Sequence, residues 1–387
     1  MQQRKITDSV AYVGVDDKTI DLFEGQYDVP NGISYNSYAI FDEKIAVMDT
    51  VDARMADEWL ANLDAALDGR TPDYLIVSHM EPDHASCVAL LAERFPQMKV
   101  VGNAKTFTMI GQFFDIDLSA RAVMVKEGDT LSLGEHTLRF FMAPMVHWPE
   151  VMVTYEEREK LLFSADAFGK FGALDTDEEW LCEARRYYFN IVGKYGAQVQ
   201  SLLKKAAALD IAAILPLHGP ILTENLAYYL GKYDIWSRYE PETKGVFIAY
   251  ASIYGNTAKA AHALADMLRA KGVEKLEISD LAREDMAEAV ENAFRYDRLV
   301  VAASSYDGGV FPVMEHFLLH LRDKGFRNRR VAIVENGSWA PSAGRCMRCM
   351  LSDMKGIDLC DNTVTVRSAC KPETLRELEA AADWLTA

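Results

Sequence analysis

The stretch Tyr74-Leu-Ile-Val-Ser-His79-Met-Glu81-Pro-Asp83-His84 decides the fold of the N-terminal half of the chain. Its apolar run at 75–77 predicts a short buried strand, and the apolar segment 85–95 predicts a helix. Two imidazoles and two carboxylates therefore occupy a strand-to-helix turn. Such clusters are typical of metal ligands, so the stretch predicts half of a two-metal site. The plainer alternative is a polar turn in which Asp83 caps the helix.

The spacing of these side chains predicts which of them bind the first metal ion and which the second. In extended backbone, side chains two residues apart share one face. We therefore expect His79, Glu81 and Asp83 to point into one cavity, and His84 at the turn to reach a second ion beside the first.

Candidate ligands also follow later strands. A single polar residue after a strand is more often a capping or core group, but several strand ends held by one sheet form a rigid rim. The set therefore predicts convergence on one site. The predicted strands and the residues that follow them are Leu138–Met142 with His147, Lys160–Phe163 with Asp166, and Ile211–Leu215 with His218.

Length and composition limit the classes of protein. With 387 residues, of which half are hydrophobic, the chain predicts two domains. The formal net charge of -17 argues against nucleic acid as a partner. The N-terminal residues lack an apolar signal core and no run of about 18 apolar residues occurs, so we expect a cytoplasmic protein without membrane contact. The six scattered cysteines, including Cys346-Met-Arg-Cys349, indicate a reducing compartment.

The chain predicts an α/β fold in two domains, 1–242 and 243–387. Several antiparallel strands open the first domain, and a helix is predicted over 53–69. The polar stretch Trp236–Gly245 marks the boundary near residue 242. Strands and helices then alternate strictly, which predicts a parallel sheet covered on both faces. The predicted strands are 246–250, 276–278, 298–302, 330–334 and 362–366, and the predicted helices are 258–271, 284–294, 312–324, 342–355 and one from 371.

The first strand-to-helix turn of the second domain predicts a phosphate site. It reads Ser252-Ile253-Tyr254-Gly255-Asn256-Thr257. Backbone amides at the helix N-terminus and the hydroxyls of this turn bind a terminal phosphate. The turn matches neither the Walker pattern nor the dinucleotide Gly-x-Gly-x-x-Gly pattern, so a mononucleotide fits best.

Two later turns each carry one aromatic residue and are expected to sandwich a flat ring. They are Ser304-Ser305-Tyr306-Asp307-Gly308-Gly309 and Asn336-Gly337-Ser338-Trp339. In such sheets, ligands bind at the carboxyl ends of the strands, where all three turns fall. Ordinary turns that use Gly and Asn for positive φ are the alternative.

With these motifs identified, the chain resembles the flavodiiron proteins over nearly its whole length. The first domain is similar to the metallo-β-lactamase fold, an αββα sandwich whose zinc hydrolases carry His-x-His-x-Asp-His. Here Glu81 takes the place of the second histidine. The second domain is similar to flavodoxin. The domain order and Glu81 carry the resemblance.

The resemblance implies a diiron centre and a bound FMN. His79, Glu81 and His147 would bind one iron, and Asp83, His84 and His218 the other. Asp166 would bridge them. Four imidazoles and three carboxylates suit iron better than zinc. The candidates for donating a proton or hydrogen bond to a bound gas are Tyr27, Tyr35 and Tyr187.

The resemblance also implies an activity and partners. Family members reduce O2 to water, NO to N2O, or both, with electrons passing through FMN. They work as head-to-tail homodimers, so we expect this chain to form such a dimer or a tetramer. The sequence carries no C-terminal rubredoxin-like module, which implies an external donor such as rubredoxin. The choice between O2 and NO stays open, because both activities share these ligands. The rival interpretations are a zinc hydrolase with a fused flavodoxin, and an electron carrier or gas sensor without turnover.

Two features of the second domain lie outside these motifs. A basic cluster flanks the 336–339 turn and predicts a docking patch for an acidic donor. Its members are Arg322, Lys324, Arg327, Arg329, Arg330, Arg345 and Arg348. His316 and His320, four residues apart on a predicted helix, either share a metal ion or are plain surface residues.

Overall fold

The computed structural model describes residues 4–387, which divide into two compact units. The first contains the residues up to Tyr188 together with Ala197–Asp234. The second contains Phe189–Gly196 together with Ile235–Ala387. The limits 1–242 and 243–387 drawn from the sequence stay a prediction.

Most strands of the first unit build two large sheets, and the pairs β3–β6 and β4–β5 form two small antiparallel sheets. Among residues 4–387 the larger has the order β1-β2-β7-β8-β9-β10-β11 and the smaller β12-β13-β14-β15-β16. The strands are β1 (Arg4–Lys5), β2 (Val10–Tyr12), β3 (Val15–Asp17), β4 (Leu22–Phe23), β5 (Tyr27–Asp28), β6 (Ile33–Tyr35), β7 (Tyr38–Ile40), β8 (Ala46–Met48), β9 (Tyr74–Ile76), β10 (Lys99–Gly102), β11 (Ala122–Met124), β12 (Thr130–Ser132), β13 (Thr137–Met142), β14 (Met152–Glu156), β15 (Leu161–Phe163) and β16 (Ala213–Leu215).

The two sheets pack face to face through one apolar core. Ile40, Met48 and Ile76 of the larger sheet belong to the same buried cluster as Phe140 and Phe163 of the smaller one. Helices follow the strands and bury one face each, as α1 does with its tryptophan and leucines. The result is the αββα sandwich that the sequence predicts. The helices are α1 (Ala56–Leu67), α2 (Pro82–Ala85), α3 (Val88–Arg94), α4 (Ala104–Phe113), α5 (Trp180–Tyr187), α6 (Gly196–Ala206) and α7 (Leu226–Ser237).

Strand register brings the candidate ligands to one rim. β15 and β16 are parallel neighbours in which Phe163 pairs with Leu215. Asp166 and His218 each follow these paired residues by three positions, so they leave the sheet side by side. His79 follows the end of β9 by the same interval. The amide of Met152 at the start of β14 donates to the carbonyl of Ser78 and ties the two sheets together at this rim.

The second unit is a parallel sheet between two helical layers, as predicted. Among the described residues, the strand order of this sheet is β18-β17-β19-β21-β22, and β23 also pairs with β21. α8 and α12 cover one face of the sheet, and α10 covers the other, where Phe317 contacts Phe247 with ring centroids 6.5 Å apart. The elements are β17 (Thr243–Ala251), α8 (Asn256–Ala270), β18 (Leu276–Asp280), α9 (Met286–Arg295), β19 (Tyr296–Tyr306), β20 (Gly309–Val310), α10 (Pro312–Asp323), β21 (Arg330–Asn336), α11 (Ala343–Ser352), β22 (Asp358–Leu359), β23 (Val364–Val366) and α12 (Pro372–Thr386).

Two local predictions were wrong. The helix expected over 85–95 is two short helices, α2 and α3, interrupted after Ala85. Several strands of the first unit, among them β10, β11 and β14, were not predicted, because short edge strands and fully buried strands lack a clear alternation of polar and apolar residues.

The basic cluster is not a uniform surface patch. Arg329 is only 2% exposed, and its guanidinium donates to the backbone carbonyls of Tyr296, Tyr239 and Phe294. Burial of this guanidinium is compensated by backbone acceptors, so Arg329 is a structural residue. The prediction that it faces a donor was wrong.

Other members of the cluster are also engaged within the unit. The Arg327 guanidinium lies over the ring of Tyr239, 4.0 Å from its centroid. Arg330 pairs with Asp358 at 3.0 Å. Arg348 donates to the carbonyl of Cys360. Of the predicted patch, Arg322 and Arg345 are exposed.

No helix formed by residues 4–387 combines the length and the apolar composition that crossing a membrane requires.

Candidate metal centre and flavin pocket

The predicted ligands form two adjoining groups in the first unit. One group holds His79, Glu81, His147 and Asp166, and the other holds Asp83, His84 and His218. Within each group the ligand atoms lie within 4.8 Å of one another. His147 is half-buried and the other six are buried. All of the side chains that the sequence singled out as ligands are therefore brought together.

The first group converges on two carboxylate oxygens. The Oδ2 atom of Asp166 lies 3.1 Å from Nε2 of His79 and 3.0 Å from Nε2 of His147. The Oε2 atom of Glu81 lies 2.8 Å from the same His147 nitrogen and 3.5 Å from that of His79. Two imidazoles and two carboxylates thus point at a common centre.

The second group adjoins the first through Asp166. The Oδ2 atom of Asp83 lies 3.2 Å from Nε2 of His218 and 3.4 Å from Nε2 of His84. The two imidazole nitrogens are themselves 3.1 Å apart. The Oδ1 atom of Asp166 faces His218 at 4.0 Å, while its other oxygen faces the first group. Asp166 lies between the two groups, which is the geometry of a bridging carboxylate.

Asp83 was expected to join His79 and Glu81, and this grouping was wrong, although Glu81 and Asp83 do line one cavity. His79 and Glu81 do share a group, but Asp83 belongs to the other one with His84. The extended chain ends at Glu81, and the helix α2 begins at Pro82. Within a helix, neighbouring side chains are about 100° apart, so the period of two no longer holds after Pro82.

Buried hydrogen bonds hold the ligand-bearing loops. Asp49 accepts from the backbone amide and the hydroxyl of Ser78, at 2.6 and 2.7 Å. Thr50 donates its hydroxyl to the carbonyl of His84 at 2.6 Å. Glu150 accepts from the amide of Met80 at 2.8 Å. These contacts fix the backbone on both sides of His79, which orients the ligands before any ion binds.

The Nδ1 atom of His218 faces the carbonyl oxygen of Ser34 at 2.7 Å. A proton on Nδ1 would donate to this carbonyl and leave Nε2 as the lone-pair nitrogen directed into the centre. Metal ligation by Nε2 uses this tautomer.

The pKa shifts of the ligand side chains indicate a centre that favours positive charge. Burial disfavours charge on His147, but Asp166 and Glu81 outweigh it and raise the pKa of His147 to about 10. Burial opposes ionisation of Glu81 too, yet His147 and His79 lower the pKa of its carboxyl to about 2. Without a metal ion, protons on these imidazoles compensate the carboxylates. A divalent ion would displace these protons.

Several ligand atoms of the centre are buried without a hydrogen bond from the described chain, as expected for a metal site. Among the described residues, both oxygens of Asp83 and of Asp166 and both ring nitrogens of His79 are buried without a hydrogen-bond partner. Buried carboxylates and imidazoles in native proteins are hydrogen-bonded or bind metals. The donor set of nitrogen and oxygen atoms suits a transition metal, so the residues fit a pair of metal ions.

Aromatic side chains line the second group. The ring centroids of Tyr35 and Tyr187 lie 6.0 and 5.4 Å from that of His218, and the centroid of Phe23 lies 5.5 Å from it. Tyr35 also receives a hydrogen bond from Arg54 at 3.0 Å. Tyr27 is buried, with its ring 6.0 Å from that of Phe171. Of the three predicted tyrosines, two therefore contact a ligand histidine.

The sequence analysis did not predict one carboxylate that lies beside the metal centre. Glu24 is at the tip of the β4–β5 hairpin, beside a cavity of about 300 Å³ that Tyr35, Glu81 and Asp83 also line. The residue is exposed as a whole, but its carboxyl group is hydrogen-bonded to Glu81. Local burial and the charge of Glu81 raise the pKa of Glu24 to about 7. No sequence pattern indicates it, because a hairpin of two-residue strands links it to the site.

The predicted flavin loops line one cavity of about 360 Å³ in the second unit. Ser252 and Thr257 are buried at its base, and the Thr257 hydroxyl is hydrogen-bonded to that of Ser304 at 2.9 Å. Tyr254 and Trp339 are 92% and 85% exposed. Tyr306 and Trp339, the aromatic residues of the two later turns, line the cavity together with the hydroxyls and amides of the 252–257 turn, and this set fits a planar ring with a phosphate tail.

Most, but not all, of the predicted flavin residues line this cavity. Gly255 and Gly309 do not line it. Gly255 has φ +85° at the N-cap of α8, and its amide donates to Ser252 at 3.1 Å, so it shapes the turn. The Ser305 hydroxyl accepts from the amide of Ser342 at 2.8 Å and so connects two of the loops. Ala340, Ser342 and Ser368 also line the cavity and were not predicted.

Comparison with known proteins agrees with both halves. Residues 33–219 match the ODP family beta lactamase, and residues 248–378 match flavodoxin. A nitric oxide reductase of Moorella thermoacetica is 33% identical over 81% of this chain and 80% of its own length. An uncharacterized protein of Methanocaldococcus jannaschii is 30% identical over 96% of this chain and 95% of its own length.

Solved structures cover the whole chain. The rubredoxin oxygen:oxidoreductase from Desulfovibrio gigas has a TM-score of 0.92 at 27% identity and covers 100% of this chain and 98% of that one. The flavodiiron protein from Giardia intestinalis has a TM-score of 0.93 at 26% identity, covering 100% and 96%.

The fold and the two sites define a metallo-β-lactamase-like metalloprotein fused to a flavodoxin. Within that class, the chain belongs to the flavodiiron protein family and is an oxidoreductase. Membership in this family assigns it FMN and a pair of non-haem iron ions as cofactors.

Proposed function

We propose that this protein reduces a small diatomic gas, O2 to water or NO to N2O, at a diiron centre held by seven side chains. His79, Glu81 and His147 would hold one iron, Asp83, His84 and His218 would hold the other, and Asp166 would be shared between them. Bound there, the iron pair supplies electrons and Lewis acidity to the gas.

The observation that carries this proposal is the convergence of four imidazoles and three carboxylates on two adjoining centres. The oxygens of Asp166 and Asp83 are buried among imidazoles, and two metal ions would compensate their charge in place of imidazole protons. Glu81 supports iron over zinc, because it makes the donor set harder and more anionic than an all-histidine one.

Side chains around the centre orient the gas and exclude water from it. Phe23, Tyr35 and Tyr187 form an aromatic wall beside His218. Tyr35 is fixed by Arg54, and burial together with Asp52 raises the pKa of its phenol above its usual value. Burial raises the pKa of Tyr187 as well, so both phenols keep their protons as hydrogen-bond donors. Tyr35 lines the cavity that Glu81 and Asp83 also line, so we assign Tyr35 to stabilising bound gas. Glu24 is the carboxyl group at the mouth of the same cavity.

FMN is held by the three loops of the second unit. The backbone of 252–257 and the hydroxyls of Ser252 and Thr257 bind its phosphate. The Tyr306 and Trp339 loops flank the isoalloxazine ring. The name of the similar rubredoxin oxygen:oxidoreductase from Desulfovibrio gigas supports an external donor of that kind, which would reduce the FMN.

The remaining assignments extend the family pattern to this chain. The working unit is a head-to-tail homodimer that brings the FMN of one subunit to the irons of the other. Free cysteines at the described positions support a reducing compartment, and we assign the protein to the cytoplasm. Sedimentation of the cofactor-loaded protein tests the dimer, since a monomer at micromolar concentration would contradict it.

Gas consumption by the loaded protein tests the activity. FMN- and iron-loaded protein, reduced anaerobically, is mixed with O2 or NO in parallel while an electrode follows the gas. We expect catalytic consumption of at least one gas, lost in Asp166→Asn. Asp210→Asn, at an exposed carboxylate that pairs with Lys160, is the matched control. Consumption of neither gas by protein with full iron and FMN content would contradict the proposal.

A further inference from the structure

A pair of histidines in the second unit lies outside both cofactor sites. His316 and His320 are one turn apart on α10, whose buried face carries Met314, Phe317 and Leu321. His316 is exposed and His320 is half-buried. The pair therefore lies at the solvent-facing side of a helix that the core holds in place, on a rigid support for a binding site.

The two imidazoles present the same ring nitrogen to one another. Their Nε2 atoms are 2.9 Å apart, and their ring centroids are 4.4 Å apart with an angle of 59° between the planes. In neutral imidazole one ring nitrogen is a hydrogen-bond acceptor and a metal ligand. When both rings carry their proton on Nδ1, both Nε2 lone pairs are free to bind one ion, and the pair would act as a bidentate chelate.

The separation of these nitrogens selects a coordination geometry. At a metal–nitrogen distance of about 2.05 Å, two ligand nitrogens are roughly 2.9 Å apart at a 90° angle and about 3.3 Å apart at a tetrahedral angle. The observed 2.9 Å corresponds to the smaller angle. Square-planar and octahedral ions such as Ni²⁺ and Cu²⁺ take this angle, and they also bind imidazole tightly.

The charged side chains near the pair have hydrogen-bond or ion-pair partners of their own. The carboxylate of Asp323 follows His320 by one turn and pairs with Arg322 at 3.0 Å. The ammonium group of Lys324 donates to the carbonyl oxygen of Asn190 at 2.6 Å, which directs it to an acceptor of its own. Among residues 4–387, no third Cys, His, Asp or Glu joins this pair in a group with ligand atoms within 4.8 Å, so water would fill the other coordination positions.

We propose that His316 and His320 form a surface site for one divalent transition-metal ion of square-planar or octahedral preference, Ni²⁺ or Cu²⁺, in addition to the iron pair. Both protein ligands come from one turn of α10, so the site is complete within one chain. It needs neither FMN nor the iron ligands.

Calorimetric titration with NiCl2 tests the site. Ni²⁺ is the probe because Cu²⁺ would oxidise the exposed thiols of Cys182 and Cys349. The protein is untagged and carries its iron and FMN, and its iron content is measured before and after. We expect one Ni²⁺ per chain, with affinity reduced about tenfold or more in His316→Gln and in His320→Gln, because each variant leaves a single imidazole.

His262→Gln is the matched control, since His262 is an exposed histidine on α8 without a histidine one turn away. It should bind Ni²⁺ as the parent does. A parent that binds no Ni²⁺ below about 1 mM, or an affinity unchanged in both His316→Gln and His320→Gln, would overturn the proposal. Unchanged FMN absorbance and thermal melting of the variants would establish that they fold.

Discussion

The two cofactor sites of this protein are built in opposite ways. The metal centre is buried and consists of side-chain atoms, several of which have no partner within the described chain. The flavin pocket is an open cavity of hydroxyls and backbone groups, and its aromatic residues Tyr254 and Trp339 face solvent. The first site is incomplete without its ions, whereas the second is a set of satisfied turns. A single substitution should therefore damage the metal centre more than the flavin pocket.

The largest effect is expected at the residue between the two metal groups. Asp166→Asn removes the negative charge that faces His79, His147 and His218. We expect the iron content to fall from two ions to fewer than one per chain and gas turnover to fall by more than about a hundredfold, since loss of an outer contact alone costs about 10- to 100-fold. FMN content should not change. Iron retained at the parental level would contradict the bridging role.

A smaller effect is expected for a residue that holds a ligand-bearing loop but does not itself bind the metal. Ser78, the neighbour of His79, donates one hydrogen bond to each carboxylate oxygen of Asp49. Asp49→Asn replaces one of these oxygens by an amide NH2 group, which cannot accept a hydrogen bond. We expect iron affinity to fall about 10- to 100-fold, measured by competition with a chelator. Asp64→Asn, at an exposed carboxylate paired with Arg94, is the control. Equal iron affinity in the two variants would remove the supporting role of Asp49.

The flavin pocket should respond less and independently. Thr257→Val removes a buried hydroxyl that contacts Ser304 at the base of the cavity. Loss of one hydrogen bond to a charged group costs about 1.5–3 kcal/mol, so FMN should bind roughly tenfold or more weakly by flavin fluorescence. Iron content should stay parental. Thr386→Val, at the end of α12, is the matched control; loss of iron in Thr257→Val would contradict the independence of the sites.

The smallest effect concerns the exposed remainder of the basic cluster. Arg322→Glu with Arg345→Glu should slow FMN reduction by an acidic donor such as rubredoxin by about threefold at low salt and flatten its salt dependence. Arg376→Glu, exposed on α12, is the control. Parental kinetics in the double variant would eliminate this surface as the docking site.

The ligand set was predictable from sequence because parallel strands leave a sheet at the same edge. The pairing of Phe163 with Leu215 turns two distant positions, Asp166 and His218, into neighbours. The alternation rule reached Glu81 but not Asp83, since the backbone changes from extended to helical at Pro82. The periodicity of side chains within one strand or helix is predictable from sequence. The residue at which the backbone changes from one to the other is harder to predict.

Residues whose role depends on tertiary contacts were not predictable. Arg329 reads as a surface charge in the sequence, but it lies against the carbonyls of Tyr296, Tyr239 and Phe294. Glu24 reads as a turn residue, but the hairpin brings its carboxyl group to Glu81. In both cases the partner is distant along the chain, and neither periodicity nor spacing indicates it.

The central claim is that seven side chains of the first unit hold two iron ions. Anomalous diffraction at the iron edge, from crystals of protein purified with its metals, tests it directly. We predict two iron peaks about 3.5–4 Å apart, one beside His79, Glu81 and His147, one beside Asp83, His84 and His218, with Asp166 between them. A single peak, a zinc signal in place of iron, or a Glu81 side chain directed away from both peaks would contradict the account.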